Sequence, residues 1–290
     1  MKVALAVWIA MQGAPMGPAE VVTLSPPPAA LHADPFYTQY LDVDGIPILA
    51  SARVPDQALV RARSIVLGML AARPDLAREL VRTGLRVVVM APDEQTLDLP
   101  EQRGWTKPAK DDARLTRCER KHYNERIGRL SDRAYWNWRA RGMGGLLTSA
   151  AAENLLGLPG DRYHGQNNFV HEFAHGILRA AERADPALHA RVKAAYAAAM
   201  AKGLWAGEYA STSFEEYWAV GTQYWFNTAH VAIFDGVGLL SDADLRVYDP
   251  GLYAVLAEVY RGHRLEGDVF WMHPDRVPPG PAPKFTAEVC

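Results

Sequence analysis

The sequence predicts an α+β fold, with a small mixed sheet and helices first and a mainly helical C-terminal part after them. Three observations predict it. Residues 46–54 (IPILASARV) and 86–90 (RVVVM) are short, β-rich runs bounded by turn residues. Between them, residues 55–70 place apolar side chains at 59, 60, 66, 67 and 70, which is helical spacing. From Gln166 onward the chain reads as successive helices, punctuated by Pro186, Gly203, Gly207, Asp235-Gly236 and Pro250.

The elements follow in chain order. Lys2 and the apolar run 3–11 (VALAVWIAM), followed by Gln12, Gly13, Ala14, Pro15 and Gly17, have the layout of a secretory signal peptide over residues 1–20. That layout implies a secreted or periplasmic protein. Residues 21–33, with Ser25-Pro26-Pro27-Pro28, read as a Pro-rich extended linker. The main domain then spans 34–273. Gly45 turns into the strand at 46–54, the helix at 55–70 follows, and a second short helix over 75–82 ends at Gly84. The run 86–90 is a strand and 91–112, with Pro92, Pro100 and Pro108, a surface loop. Residues 113–141 carry nine Lys/Arg interleaved with Tyr123, Tyr135, Trp136 and Trp138, and read as a solvated excursion whose aromatics pack on the body. Gly142, Gly144 and Gly145 form a turn with no nucleotide-binding pattern. Helices are expected over 167–183, 186–203, 213–227, 241–246 and 250–261, and a C-terminal tail over 274–290.

Composition narrows the function. Lys plus Arg number 31 and Asp plus Glu 33, a formal charge of −2, which removes the electrostatic reason to expect a nucleic-acid partner. No apolar run reaches the roughly 18 residues of a membrane span. The chain is 49% hydrophobic and 22% charged, outside the range of disordered chains. Two cysteines, Cys118 and Cys290, exclude a disulfide-dense scaffold, although they could pair in an oxidising compartment.

The chemistry concentrates at His171-Glu172-Phe173-Ala174-His175. On a helix, residues four apart lie on one face, so the two imidazoles can bind one Zn2+ ion through two nitrogens. Glu172, rotated to the side, can reach a zinc-bound water. Phe169, Val170, Phe173, Ala174, Ile177 and Leu178 flank the histidine stripe with apolar surface. A catalytic zinc needs a third ligand. The pattern HExxHxxGxxH fails, because Leu178 and Ala181 stand where Gly and His would. His189 lies beyond the Asp185-Pro186 break, and His230 in a poorly patterned segment. The better candidates are the adjacent carboxylates Glu215 and Glu216 on the helix at 213–227, of which one can face the metal. Glu216 shares a stripe with Ala219, Val220 and Gln223, a face suited to packing on another helix.

HEFAH followed by YASTSFEEYWAVGTQYWF (209–226) resembles the gluzincin metallopeptidases of the anthrax lethal factor type, which include the Pro-Pro endopeptidases. The resemblance covers about residues 165–228 and implies a zincin-like fold. In that family a Glu within E-[YF]-[FW]-A-E is the third zinc ligand, and a Tyr seven residues earlier faces the active site. Glu216-Tyr217-Trp218-Ala219 matches the first four positions, and Tyr209 is seven residues before Glu216. The resemblance therefore implies Glu216 as the third ligand with His171 and His175, and Tyr209 beside Glu172 in catalysis. Val220 departs from the pattern, standing where the family has a second Glu. The expected activity is hydrolysis of peptide or protein substrates by a zinc-activated water, with Glu172 as general base. Arg86–Met90 is the expected sheet edge for an extended substrate. Two other readings share the motif: a zinc hydrolase of a non-protein amide, such as a cell-wall or glycan-linked bond, and a catalytically weak zincin-fold binding protein. Intact Glu172 argues against the last. His164, Glu215 and the aromatics Trp218, Tyr224, Trp225 and Phe226 are expected in structural roles.

Overall fold

The structure is a computed structural model that describes residues 22–113, 115–230, 232–234, 237–239 and 241–265. The expected signal peptide over 1–20, the tail over 274–290 and Cys290 lie outside them. The fold is mixed α+β: a four-stranded sheet and, for the rest, mostly helices.

The strands β1 (Gln39–Val43), β2 (Ile46–Ala50), β3 (Arg86–Met90) and β4 (Leu147–Ala151) lie side by side in that order. β1 and β2 form an antiparallel hairpin whose register pairs Val43 with Ile46. Its two-residue turn is Asp44-Gly45, both at positive φ (50° and 90°), the sequence and geometry that match strand twist. β2–β3 and β3–β4 are parallel. The first crossover is made by α1 (Asp56–Leu70) and α2 (Pro74–Arg82), the latter started by Pro74 in its first turn.

Arg86–Met90 is thus an inner strand paired on both sides, not the edge expected from sequence. The physical reason is in its composition. An edge strand with one wet face alternates, whereas RVVVM is apolar on both faces, the signature of a strand covered twice. Val87 and Val89 join Ile48 and Ala50 in the main core, while Val88 and Met90 join Leu49, Tyr37 and Leu99 on the opposite face. β4 is the edge. Residues 25–33, expected as a linker, run against the sheet: Ser25 bridges Tyr40, and the Arg86 guanidinium donates to the Leu31 carbonyl at 2.8 Å.

The excursion 113–141 holds α3 (Arg117–Lys121) and α4 (Asp132–Arg139) and has a small core of its own. Leu115, Ile127 and Tyr135 are buried there, with Tyr123, Leu130 and Trp136 packed around them. Its aromatics therefore pack mainly on one another rather than on the body. Cys118 is wholly buried.

After β4 come α5 (Ala152–Leu156), α6 (Asn168–Ala184), α7 (Pro186–Ala201), α8 (Phe214–Trp225), the hairpin β5 (Ala232–Phe234) and β6 (Val237–Leu239), α9 (Asp242–Tyr248) and α10 (Pro250–Tyr260). Phe169, Phe173, Ala174 and Ile177 of α6 and Tyr217, Trp218 and Ala219 of α8 are fully or almost fully buried in one core. The Trp218 indole N–H donates to the Ala174 carbonyl at 2.9 Å, fixing how far α8 slides along α6. Among the described residues no helix is long and apolar enough to cross a membrane.

Candidate metal centre

The site is built where α8 crosses α6. Asn167 caps α6, its side chain accepting from the Val170 N–H, and Asn154 accepts from the Asn168 N–H at 2.8 Å. His171 and His175 therefore project one turn apart from a helix whose start is fixed, and their rings meet edge-on with centroids 4.9 Å apart. Ser213 caps α8 by accepting from the Glu216 N–H. Ser213-Phe-Glu-Glu216 has the spacing of a capping box, yet the Glu216 carboxylate does not return to the cap. It turns to the histidines.

Three donor atoms form a triangle. His171 Nε2 lies 3.0 Å from Glu216 Oε2, His175 Nε2 lies 3.5 Å from the same oxygen, and the two nitrogens are 3.3 Å apart. Tetrahedral ligands at 2.0–2.1 Å from a zinc ion are separated by about 3.3–3.4 Å. The triangle has the size of one face of that tetrahedron. The donor set of two imidazoles and a carboxylate is also zinc's, so the residues present fit the ion. Donor atoms of His171, Glu172 and His175 also lie within 4.8 Å of one another, so Glu172 borders the same point. Glu216, at 3.0 and 3.5 Å, closes the tighter group.

The surroundings orient these donors. His171 Nδ1 is 3.2 Å from Gln223 Oε1, and Gln223 Nε2 donates to the Asn167 carbonyl at 3.0 Å. The amide is thereby oriented with oxygen toward the imidazole. With a metal bound, His171 would keep its proton on Nδ1 and offer the Nε2 lone pair to the ion; without one, Nε2 donates to Glu216 Oε2. The Tyr209 hydroxyl donates to Glu216 Oε1 at 3.0 Å, and its ring lies along that of His171. Asn168 Nδ2 donates to Glu172 Oε1 at 3.3 Å.

The electrostatics follow from this packing. Burial by itself lowers the His171 pKa, but the Glu216 carboxylate reverses the sign and lifts it to about 9. Burial raises Glu216, yet hydrogen bonds from His171 and His175 hold it well below the usual carboxylate range. Glu172 moves the other way: burial raises its pKa, and the neighbouring histidines only moderate this. Two carboxylates in one site are thus shifted in opposite directions.

A glycine strap covers α6. Arg141 is buried, its guanidinium bonded to both oxygens of Glu153 at 2.8 and 3.0 Å and to the carbonyls of Ala91 and Glu94. Next, Met143 bridges Ser149 of the edge strand in the antiparallel sense, through bonds of 2.9 and 3.3 Å. A Cβ on Gly142 would lie 3.3 Å from Glu172 Cγ, and one on Gly144 2.7 Å from His175 Cδ2. The alternating glycines let the backbone rest directly on the histidine helix.

Sequence reasoning put His171, Glu172, His175, Glu216 and Tyr209 forward, and the structure brings all five together. Glu215 is exposed. His189 packs edge-on against Phe214, away from the triangle. His230 sits against Gly165, where burial and then His164 lower its pKa to about 4. Trp218, Tyr224, Trp225 and Phe226 are core. Gln223, Asn168, Gly142 and Gly144 were missed as site residues. Two signals were available: Gln223 is seven residues, two helical turns, beyond Glu216, and Gly-x-Gly marks one face of an extended segment.

No protein-family model and no curated protein matches the chain. Among solved structures, the Pro-Pro endopeptidase PPEP-2 from Paenibacillus alvei aligns with a TM-score of 0.44 and 12% identity, over 73% of this chain and 96% of that one.

Proposed function

We propose that the chain is a secreted, zinc-dependent metallopeptidase of zincin-like fold, with His171, His175 and Glu216 holding the ion. The observation that carries this reading is the donor triangle of 3.0, 3.3 and 3.5 Å with a second, proton-avid carboxylate beside it. When bound, zinc supplies a Lewis acid that brings the pKa of a water toward 7. Glu172 takes the proton of the attacking water on a carboxylate oxygen and returns it to the nitrogen of the leaving amine. Its raised proton affinity suits both transfers. The Tyr209 hydroxyl, already at the triangle's edge, donates a hydrogen bond to the oxyanion that develops on the carbonyl oxygen.

The strap provides a place for an extended substrate. Met143 directs its N–H and C=O to Ser149, so by the alternation of an antiparallel pair Gly142 and Gly144 direct theirs away from β4. Among the described residues these groups have no backbone partner. A peptide strand lying there pairs with the strap and passes beside Glu172. This edge replaces Arg86–Met90 as the substrate's support.

The test is metal content and turnover measured together. Protein purified without chelators should hold about one zinc per chain and cleave members of an unselected peptide mixture. Glu172→Gln should keep the zinc and lose turnover by about 100- to 10,000-fold. Undiminished hydrolysis by that variant would sink the mechanism, and a chain that takes up no zinc would remove the centre itself.

A further inference from the structure

Arg139, the last residue of α4, differs from the two buried arginines, Arg73 and Arg141. Arg73 bonds both oxygens of Asp75 and reaches Asp185 at 2.9 Å, and Arg141 is clasped by Glu153. The Arg139 side chain is half-buried and, among the described residues, makes no hydrogen bond and no ion pair. A guanidinium partly withdrawn from water without a hydrogen-bonded anion gives up solvation for little in return.

Its place in the chain puts it at the metal centre. Three residues later Gly142 lies against Glu172. On its other flank, Arg162 donates to the carbonyls of Asn137 at 2.7 Å and Trp138 at 3.0 Å, fastening the end of α4 to the loop that leads into α6. The ionisable neighbours of Arg139 are Tyr209, Glu119, Tyr135 and Tyr163. Tyr209 is itself bonded to the ligand Glu216. Beside Arg139, Trp138 is 49% exposed, an apolar surface at the same rim.

We propose that Arg139 is a specificity residue that binds a carboxylate of the peptide substrate close to the scissile bond. The inference rests on the peptidase reading above. The guanidinium presents a planar fork that matches a carboxylate with two parallel hydrogen bonds, the partner it lacks in the free protein. The carboxylate can come from the chain terminus or from an Asp or Glu side chain. Either would lie on the Tyr209 side of the centre, near the carbonyl under attack.

The experiment uses the zinc-loaded full chain and matched peptides. One set differs only in a C-terminal acid or amide, the other only in Asp or Asn at positions flanking the cleaved bond. Binding is measured on Glu172→Gln, and turnover on the protein with Glu172 intact. The expected result is a preference of about 10- to 100-fold for one acid set, in KM and in binding, that disappears in Arg139→Met and returns in part in Arg139→Lys. A preference confined to the C-terminal set assigns the chain terminus, and one confined to the Asp set assigns the side chain. Equal handling of acids and their neutral partners, with peptides still cleaved, overturns the role of Arg139 and leaves the peptidase reading intact. Failure to bind or cleave any peptide overturns both.

Discussion

Gly144→Ala tests whether the strap's contact with α6 holds the metal centre in shape. Gly144 does not have a positive φ, so alanine meets no backbone objection there, and the whole effect comes from the added methyl. That carbon would lie 2.7 Å from His175 Cδ2, 2.8 Å from His175 Cβ and 2.9 Å from the Glu172 carbonyl oxygen, where ordinary contact begins at 3.4 Å. Something must retreat by about 0.5–1 Å, a case of overpacking that costs about 1–3 kcal/mol. Glu172 O is part of the helix backbone and cannot yield. Either His175 swings, opening the 3.3 Å side of the triangle, or the strap lifts from the helix and carries the substrate edge with it. A misplacement of that size costs about 100-fold in kcat/KM. The two routes separate in the assay: a swung His175 weakens zinc in chelator competition, whereas a lifted strap spares zinc and raises KM. Gly104→Ala is the control, since a Cβ there meets nothing within 4 Å. A Gly144→Ala protein with unchanged zinc affinity, kcat and KM would show that the strap does not rest on the helix as described.

Other outcomes follow from the same geometry. Gln223→Met removes the amide oxygen 3.2 Å from His171 Nδ1 and should weaken zinc by about 10- to 100-fold, read by chelator titration. Zinc at 100 times its dissociation constant should stabilise the fold by about 2.7 kcal/mol, so chelation should lower Tm by about 5–10 °C and zinc should restore it. Asp75 is held below its ordinary pKa by hydrogen bonds from Arg73. A carboxylate depressed in the folded state contributes stability above its unfolded pKa and loses it as pH falls through the lowered folded value. Asp75→Asn should therefore be less stable than the parent at pH 7 and converge with it on acidification below about pH 4, by at most about 1 kcal/mol because the pair is partly exposed.

The helices and the two histidines were legible because their signals are local. A turn of α6 is enough to set the spacing of His171 and His175, and Pro74, Pro186 and Pro250 mark helix starts by their own backbone chemistry. Glu216 was less local: periodicity placed it and Glu215 on one helix, and only the family resemblance chose between them. The misplaced sheet edge has a different cause. Strand order is a tertiary property, and β1 and β4 (QYLDV and LTSAA) are too weakly β-patterned to announce themselves beside IPILA and RVVVM. Arg139 and the strap were unreadable for the same reason. A charge run looks like a solvated face until the structure shows that Arg141 is buried in an ion pair and that Arg139 is half-buried without one.

The cost of the polar cluster argues against a purely structural role. His171, Glu172, His175, Glu216, Tyr209, Gln223 and Asn168 occupy a crossing of two helices that is otherwise made of Phe169, Phe173, Ala174, Tyr217, Trp218 and Ala219. Holding two helices together needs no such group: apolar residues of similar volume in place of buried ion pairs are often neutral or stabilising. Stability therefore does not explain the cluster. A metal explains most of it, since three donors at tetrahedral spacing require Glu216 where it is and Gln223 behind His171. A metal alone still leaves out Glu172, which lies outside the tight triangle and is pushed by burial toward its protonated form. A carboxylate whose proton affinity is raised beside an ion site is poorly suited to holding the ion and well suited to exchanging a proton there. Hydrolysis is the reading under which every member of the cluster has work to do, and Glu172→Gln with full zinc and full turnover is the one result that would leave that carboxylate without a role.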